Sequence, residues 1–143
     1  MSIFFSRQCE YALQAILYLA LKPQGETASI REMTSKLDIP YHFLAKILQS
    51  LTHKGLLRST KGHAGGFALN LPVTEITMFN IVEAIDGVKF MNGCLLGFHE
   101  CSQTNPCALH EQWGVLRESI HSMLVSKNVE QMAHKMQKPE YGW

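Results

Sequence analysis

The chain has 143 residues, of which 46% are hydrophobic, enough to fill the core of one domain. The first residues lack a signal peptide, and the most apolar run (12–21) is too short to cross a bilayer, so we expect a cytoplasmic protein with reduced thiols and no membrane partner. Residues 1–72 carry eight Lys/Arg against four Asp/Glu, whereas residues 73–143 carry five against eight, which predicts that the first half faces a polyanion.

Three helices are predicted in the basic half. The first spans residues 6–21, and because it is apolar on nearly every side it should be buried from more than one direction. A capping box, Ser29 with Glu32, opens the second helix, with each side chain bonding the other's backbone N–H. Pro40 suits the first position of a third helix, which Gly55 ends.

The third helix has two contrasting faces. Its predicted inward face is apolar and consists of Phe43, Leu44, Ile47, Leu48 and Leu51. Its outer face is polar and mildly basic, with His42, Lys46 and Gln49 as candidate DNA contacts. Two helices joined by a three-residue turn, the second with such a face, indicate a helix-turn-helix.

Two short strands, residues 56–60 and 67–70, follow the third helix and should form a hairpin. The hairpin carries further candidate DNA contacts, namely Arg58, Ser59, Lys61, Gly62 and His63. Glycines at positions 62, 65 and 66 are expected to let the backbone approach phosphates. By itself the segment could be a merely flexible hairpin. After a recognition helix it predicts the wing of a winged helix-turn-helix domain over residues 1–87, in a mainly α fold with a small β wing.

A loop over residues 88–108 gathers three cysteines, Cys94, Cys101 and Cys107, with His110 three positions further on. Such a loop can wrap an iron–sulfur cluster or clasp a metal ion. Zinc is the second choice, because the spacing is not the CxxC knuckle of structural zinc sites. Incidental thiols are the remaining alternative, and Cys9 in the first helix is expected to be a core residue.

Thr77 is a predicted N-cap for a helix that Asp86 and Gly87 close, and Asn105 with Pro106 should start the last long helix. Residues 109–135 are assigned to a dimerisation helix and C-terminal segment, and residues 136–143 to a tail. An apolar seam with coiled-coil spacing consists of Leu109, Trp113, Leu116, Ile120 and Met123. It predicts a homodimer, whose symmetry suits a palindromic DNA site, with packing onto its own domain as the alternative.

Three motifs resemble those of a known family over residues 6–132. They are Glu10-Tyr11-Ala12-Leu13 in the first helix, the wing motif over residues 59–69, and the connector helix over residues 81–87. With the cysteine loop, they make the chain similar to the bacterial winged-helix iron–sulfur transcription regulators of the IscR, NsrR and CymR type. Lys61 stands where these regulators usually have arginine.

The resemblance implies a dimeric regulator that binds double-stranded DNA at a palindromic operator and senses redox state, nitric oxide or iron through a 2Fe-2S or 4Fe-4S cluster. It implies Cys94, Cys101 and Cys107 as cluster ligands, with His110 as the fourth and Glu10 as its rival. The alternatives are a cluster-free thiol-based or zinc-bound regulator of the same fold. A thiol or zinc enzyme acting through Cys107 and His110 is disfavoured, because no carboxylate or oxyanion-forming motif accompanies them.

Overall fold

The computed structural model describes residues 4–136, so the predicted tail after Met136 lies outside the described residues. The helices are α1 (Arg7–Ala20), α2 (Ile30–Leu37), α3 (Tyr41–His53), α4 (Met78–Ile85), α5 (Lys89–Asn92), α6 (His110–Ser126) and α7 (Val129–Lys135). Strands β1 (Leu57–Thr60) and β2 (Gly66–Leu69) pair antiparallel, with Leu57 opposite Leu69 and Thr60 opposite Gly66. The predicted mainly α fold with a small β wing is confirmed.

Helix α1 is the centre of the packing. It is in contact with α2, α3, α4, α7 and β2, and its residues Ala12, Ala15 and Ile16 are fully buried. The small alanine side chains let neighbouring helices approach on several sides, which confirms the predicted burial from more than one direction. Ser6 caps the helix by accepting from the backbone N–H of Cys9, and its own N–H donates to Asp86 at 2.8 Å.

The second helix is capped by only one half of the predicted box. Ser29 Oγ accepts from the N–H of Glu32 at 3.1 Å, as predicted. The Glu32 carboxylate instead accepts from the Tyr18 hydroxyl and the Lys22 ammonium, both at 2.7 Å, and the hydrogen bond from Lys22 is the main reason that the pKa of Glu32 is lowered. The reciprocal bond was wrongly predicted, because Tyr18 of α1 and Lys22, just after α1, lie within reach of the carboxylate.

The third helix begins after Pro40, which is its N-cap, and Gly55 follows its end with a φ of +84°. Its core face is formed by Leu44, Ile47, Leu48 and Leu51, as predicted. Phe43 was wrongly placed on that face: its side chain is 52% exposed. Successive residues of an α-helix are turned by 100°, which places Phe43 to one side of the apolar stripe and not at its centre. The stripe itself packs against α1 and α2.

The wing is attached to the loop between α1 and α2. Ala28 and Phe67 exchange backbone hydrogen bonds of 2.9 and 2.8 Å, and Thr27 Oγ1 donates to the carbonyl oxygen of Ala64 at 2.9 Å. Ala28 thus forms an isolated antiparallel β-bridge with Phe67, on the side of β2 away from β1. The hairpin is therefore held in place rather than freely flexible.

The acidic half begins with α4, which Thr77 and Asn80 cap reciprocally, so the predicted N-cap is confirmed. The predicted start of the long helix at Pro106 is wrong, because α6 begins at His110. The amides that would open a helix there are bound within the loop: the N–H of Asn105 donates to the Ser102 hydroxyl and carbonyl, and that of Cys107 to Cys101 Sγ.

Residues 109–135 form two separate helices, α6 and α7, and not one continuous helix. Asn128 caps α7, whose residues Val129 and Ala133 join the main core beside α1. Leu124 of α6 joins a second, smaller core with Cys9 of α1 and Val82 of α4. Among the described residues, no helix has the length and apolarity needed to cross a membrane.

Replacing Gly66 with alanine should destabilise the protein by more than about 1 kcal/mol, because the new Cβ would lie 2.4 Å from the carbonyl oxygen of Ala28. Gly62 is the matched control: it too has a positive φ, but an added Cβ meets nothing within 4 Å. Urea unfolding should therefore show a smaller loss for Gly62→Ala. Equal losses would mean that the approach of Ala28 to β2 does not constrain the wing.

Candidate metal centre and nucleic-acid interface

The structure brings the three loop cysteines together. The Sγ atoms of Cys94, Cys101 and Cys107 all lie within 4.8 Å of one another, and those of Cys94 and Cys107 are 3.6 Å apart. Each side chain is partly exposed. Three soft donors converge on one point at the surface, an arrangement suited to zinc or to iron in a sulfur-rich site.

His110 lies beside this group without belonging to it: its Nδ1 is 3.2 Å from Cys101 Sγ, but the set of ligand atoms within 4.8 Å of one another comprises the three thiols alone. A helix starting at Pro106, as predicted, would have contained both Cys107 and His110, but Cys107 lies before α6 and does not share a helix with His110. The N–H of His110 instead donates to the carbonyl oxygen of Cys107 at 3.2 Å, so a turn at the start of α6 places the imidazole beside the thiols.

The loop thiols differ in acidity from the buried one. The backbone N–H of Phe98 is the main cause that lowers the pKa of Cys94 to about 7, assisted by Leu96 and the neighbouring thiols. The Cys107 N–H lowers the pKa of Cys101, but partial burial and the thiols of Cys107 and Cys94 outweigh it and raise the pKa overall. Burial raises the pKa of Cys9 to about 12, so this thiol stays protonated in the core.

Two side chains of α6 hold the beginning of the cysteine loop. Trp113 Nε1 donates to the carbonyl oxygen of Gly93, and Arg117 Nη1 donates to that of Met91, both at 3.0 Å. Sequence reasoning placed Trp113 in the dimer seam and overlooked Arg117. In the sequence, the only signal for Arg117 was that it is the single Lys or Arg within the predicted seam (residues 109–123), which otherwise carries acidic residues and apolar ones at regular spacing.

The donor set fits two kinds of metal group. A tetrahedral zinc ion holds sulfur at about 2.3 Å, which places two ligand sulfurs about 3.8 Å apart, close to the separation of Cys94 and Cys107. A small cavity of about 30 Å³ is lined by the three cysteines and His110 together with neighbours that include Trp113 and Arg117, and it is large enough for a single ion. A cluster of several irons fits the soft thiolates equally well in chemistry, but it requires the exposed loop to spread.

The predicted DNA contacts of the outer face and wing are all exposed. They are His42, Lys46, Gln49, Arg58, Ser59, Lys61, Gly62 and His63. Pro40 offers α3 no side-chain cap, so the first amides of this helix lack the side-chain acceptor that Ser29 provides for α2. The N–H groups at a helix N-terminus of this kind readily donate hydrogen bonds to a phosphate oxygen.

Two of the three wing glycines are required by packing within the protein, whatever their part in DNA binding. A Cβ at position 65 would lie 2.2 Å from the Thr60 carbonyl oxygen, and one at position 66 would meet Ala28, so packing within the protein requires both glycines. Gly62 alone of the three meets no atom within 4 Å and leaves the backbone open. The Arg58 guanidinium is directed to the Gly25 carbonyl oxygen at 3.4 Å, beside the loop before α2.

The predicted dimer seam forms an exposed apolar groove on α6. Leu116 and Met123 are 55% and 54% exposed, whereas Ile120 packs partly against the second core. Together with Phe4 and Trp113 they line a groove of about 240 Å³. Leu109 is the N-cap of α6 and lies at the loop end of this seam.

Comparisons with known proteins agree with this architecture. The sequence profile of the Rrf2 family, described as iron-dependent transcriptional regulators, matches residues 5–135. A protein of Aquifex aeolicus named as an HTH-type transcriptional regulator is 32% identical over 138 residues, which cover 95% of each chain.

Two solved structures share the fold. CymR, the global cysteine regulator of B. subtilis, superposes with a TM-score of 0.79 at 23% identity, over 95% of this chain and all of that one. The IscR of T. potens superposes with a TM-score of 0.72 at 21% identity, over 99% and 98% of the two chains.

In metal-free protein, alkylation of Cys94 should reach half its maximal rate near pH 7, because the thiolate is the reactive form and becomes populated as the pH rises through the pKa. Cys9 should react only after unfolding. Mass spectrometry of peptides labelled between pH 5 and 10 measures both. In the matched Cys94→Ser variant, labelling at Cys9 should be unchanged; rapid labelling of Cys9 in the folded protein would contradict its burial.

Proposed function

Because the chain belongs to the Rrf2 family of transcriptional regulators and is therefore not an enzyme, we propose that it acts as a cytoplasmic homodimer that binds a palindromic operator and senses its signal through an iron–sulfur cluster. The observation that carries the proposal is the convergence of the Cys94, Cys101 and Cys107 thiols, with His110 Nδ1 3.2 Å from Cys101 Sγ. The description of the family as iron-dependent favours iron over zinc.

Duplex DNA meets α3 and the wing in this proposal. Lys46 and Lys61 are exposed cations on these two elements, and the open backbone at Gly62 lies at the turn between the wing strands. Phosphate contacts fix the position of the domain, and side chains in the first turns of α3 reach base edges in the major groove. We therefore assign the predicted DNA contacts of α3 and the wing to one DNA-binding surface.

The three thiolates and His110 are proposed as the ligands of the cluster. A bound cluster supplies a centre whose oxidation state and integrity respond to redox conditions, nitric oxide or iron supply. His110 is favoured over Glu10, because its Nδ1 already lies 3.2 Å from Cys101 Sγ. Glu10, on α1, is proposed to reach the site only from a second subunit.

A continuous set of contacts joins the ligand loop to the DNA-binding elements. Trp113 and Arg117 tie the loop to α6, and Leu124 of α6 packs with Cys9 of α1. Helix α1 in turn packs against α3. We infer that a rearrangement of the loop moves α6 and changes how the two winged helices of a dimer are spaced on DNA.

A thiol switch of the same fold is the second candidate, favoured by the 3.6 Å separation of Cys94 and Cys107 Sγ. A disulfide would bring these sulfurs to about 2.05 Å, which requires a small loop movement and an oxidant that takes two electrons, with loss of the two thiol protons. A zinc-bound regulator is the other alternative, since three cysteines and a histidine are a known structural zinc set. Anaerobic purification with iron, sulfide and zinc analysis separates the three candidates.

Replacing Lys61 with alanine should weaken DNA binding and lower the slope of log affinity against log salt by about 1, because one phosphate contact and its released counterions are lost. Lys127, exposed after α6, is the matched control, and its alanine variant should keep the slope. Fluorescence anisotropy from 50 to 300 mM salt measures both variants. Identical slopes for the wild type and Lys61→Ala would refute the wing assignment.

Serine in place of any of Cys94, Cys101 or Cys107 should abolish iron retention, whereas Cys9→Ser should retain it, since Cys9 is buried in the second core. Iron and sulfide analysis after anaerobic purification checks this division.

For the fourth ligand, His110→Ala should shift the absorbance and vibrational spectra while Glu10→Ala leaves them unchanged. The reverse pattern would assign the role to Glu10.

Replacing Leu116 with aspartate should turn the dimer into a monomer. The substitution places an unpaired charge in the apolar groove, which costs roughly several kcal/mol. Leu116 tests this better than Ile120, which also packs against the second core. Val115→Asp is the matched control, as Val115 is exposed on the adjacent side of α6. If light scattering finds the unmodified protein monomeric at micromolar concentration, the seam on α6 is not a dimer interface.

A further inference from the structure

Two aromatic rings project into solvent from the first turn of α3. Phe43 is 52% exposed and Tyr41 is 46% exposed. The ring of Tyr41 meets that of His42 edge-on, with 6.0 Å between the centroids. Phe43 has no polar atom that could use this exposure for a hydrogen bond, and the core face of α3 is complete without it. Its exposed ring is therefore available to a partner outside the folded monomer.

The position of Phe43 identifies the kind of partner. Phe43 precedes the exposed Lys46 by three residues, so the two side chains are neighbours on the helix surface. His42 and Gln49, also exposed, extend this polar and basic surface. A single apolar ring within a surface suited to a polyanion matches the major groove, where the thymine methyl is the apolar group on a base edge.

We propose that Phe43 contacts the methyl group of a thymine in each half-site and so selects a T·A pair at one operator position. The inference rests on the proposed DNA-binding function. Recognition helices read base edges with their N-terminal residues, and Phe43 is the third residue of α3. Tyr41 is assigned a different place, because it precedes Ala45 by four residues and lies on the other edge of the helix.

The test starts from duplexes selected from a random library by the full-length protein purified anaerobically. Each thymine of one half-site is then replaced in turn by uracil, which lacks only the methyl group. At one position the wild type should lose affinity about fourfold, the factor expected for burying one methyl-sized group. Phe43→Ser should bind the thymine and uracil duplexes equally well, and Phe43→Leu should keep part of the preference.

Tyr41→Ser is the matched control and should retain the full preference for thymine. Melting followed by circular dichroism should show that Phe43→Ser folds normally, as expected for an exposed side chain. A preference that persists in Phe43→Ser, or one that disappears in Tyr41→Ser, overturns the assignment while leaving DNA binding intact. Failure of the wild type to select any sequence would instead reject the proposed function and the inference with it.

Discussion

The burial of α1 on several sides is the constraint on which the rest of the structure depends. A helix with Ala12, Ala15 and Ile16 fully buried needs neighbours all round, and α2, α3, α4 and α7 supply them. Because α4 and α7 come from the acidic half, the two halves of the chain cannot form independent units. The same helix carries Cys9 into the second core with Val82 and Leu124, so α1 links the DNA-binding elements to α6. Small side chains on α1 make this close packing possible.

The proposed metal site depends on this arrangement indirectly. Helix α6 is held against α1 and α4 through Leu124, and it presents His110, Trp113 and Arg117 to the cysteine loop. The loop contains no helix after α5 and is largely exposed, so its geometry follows from hydrogen bonds to α6 and between its own turns. A site of this kind is rigid at its anchor and adaptable at its ligands, which suits a centre whose occupancy changes.

Much of the architecture could be predicted because its signals are local. Ser29 and Thr77 accept from amides within the first turns of their helices, and the φ of +84° at Gly55 marks the end of α3. The three cysteines were recognisable as a group because one short loop joins them. By contrast, the Glu32 carboxylate left its predicted cap for Lys22 and Tyr18, since a partner from another helix competed with a local one.

The sequence by itself determined the helical periodicities, the caps, the wing hairpin and the set of soft donors, because each depends on residues close in the chain. Only the tertiary structure decided that α7 returns to α1 and that Gly66 is needed for the close approach of Ala28. It also decided that Phe43 faces solvent. These features depend on which side chains and backbone atoms from distant segments compete for the same space, and a pattern of spacing along the chain does not contain that information.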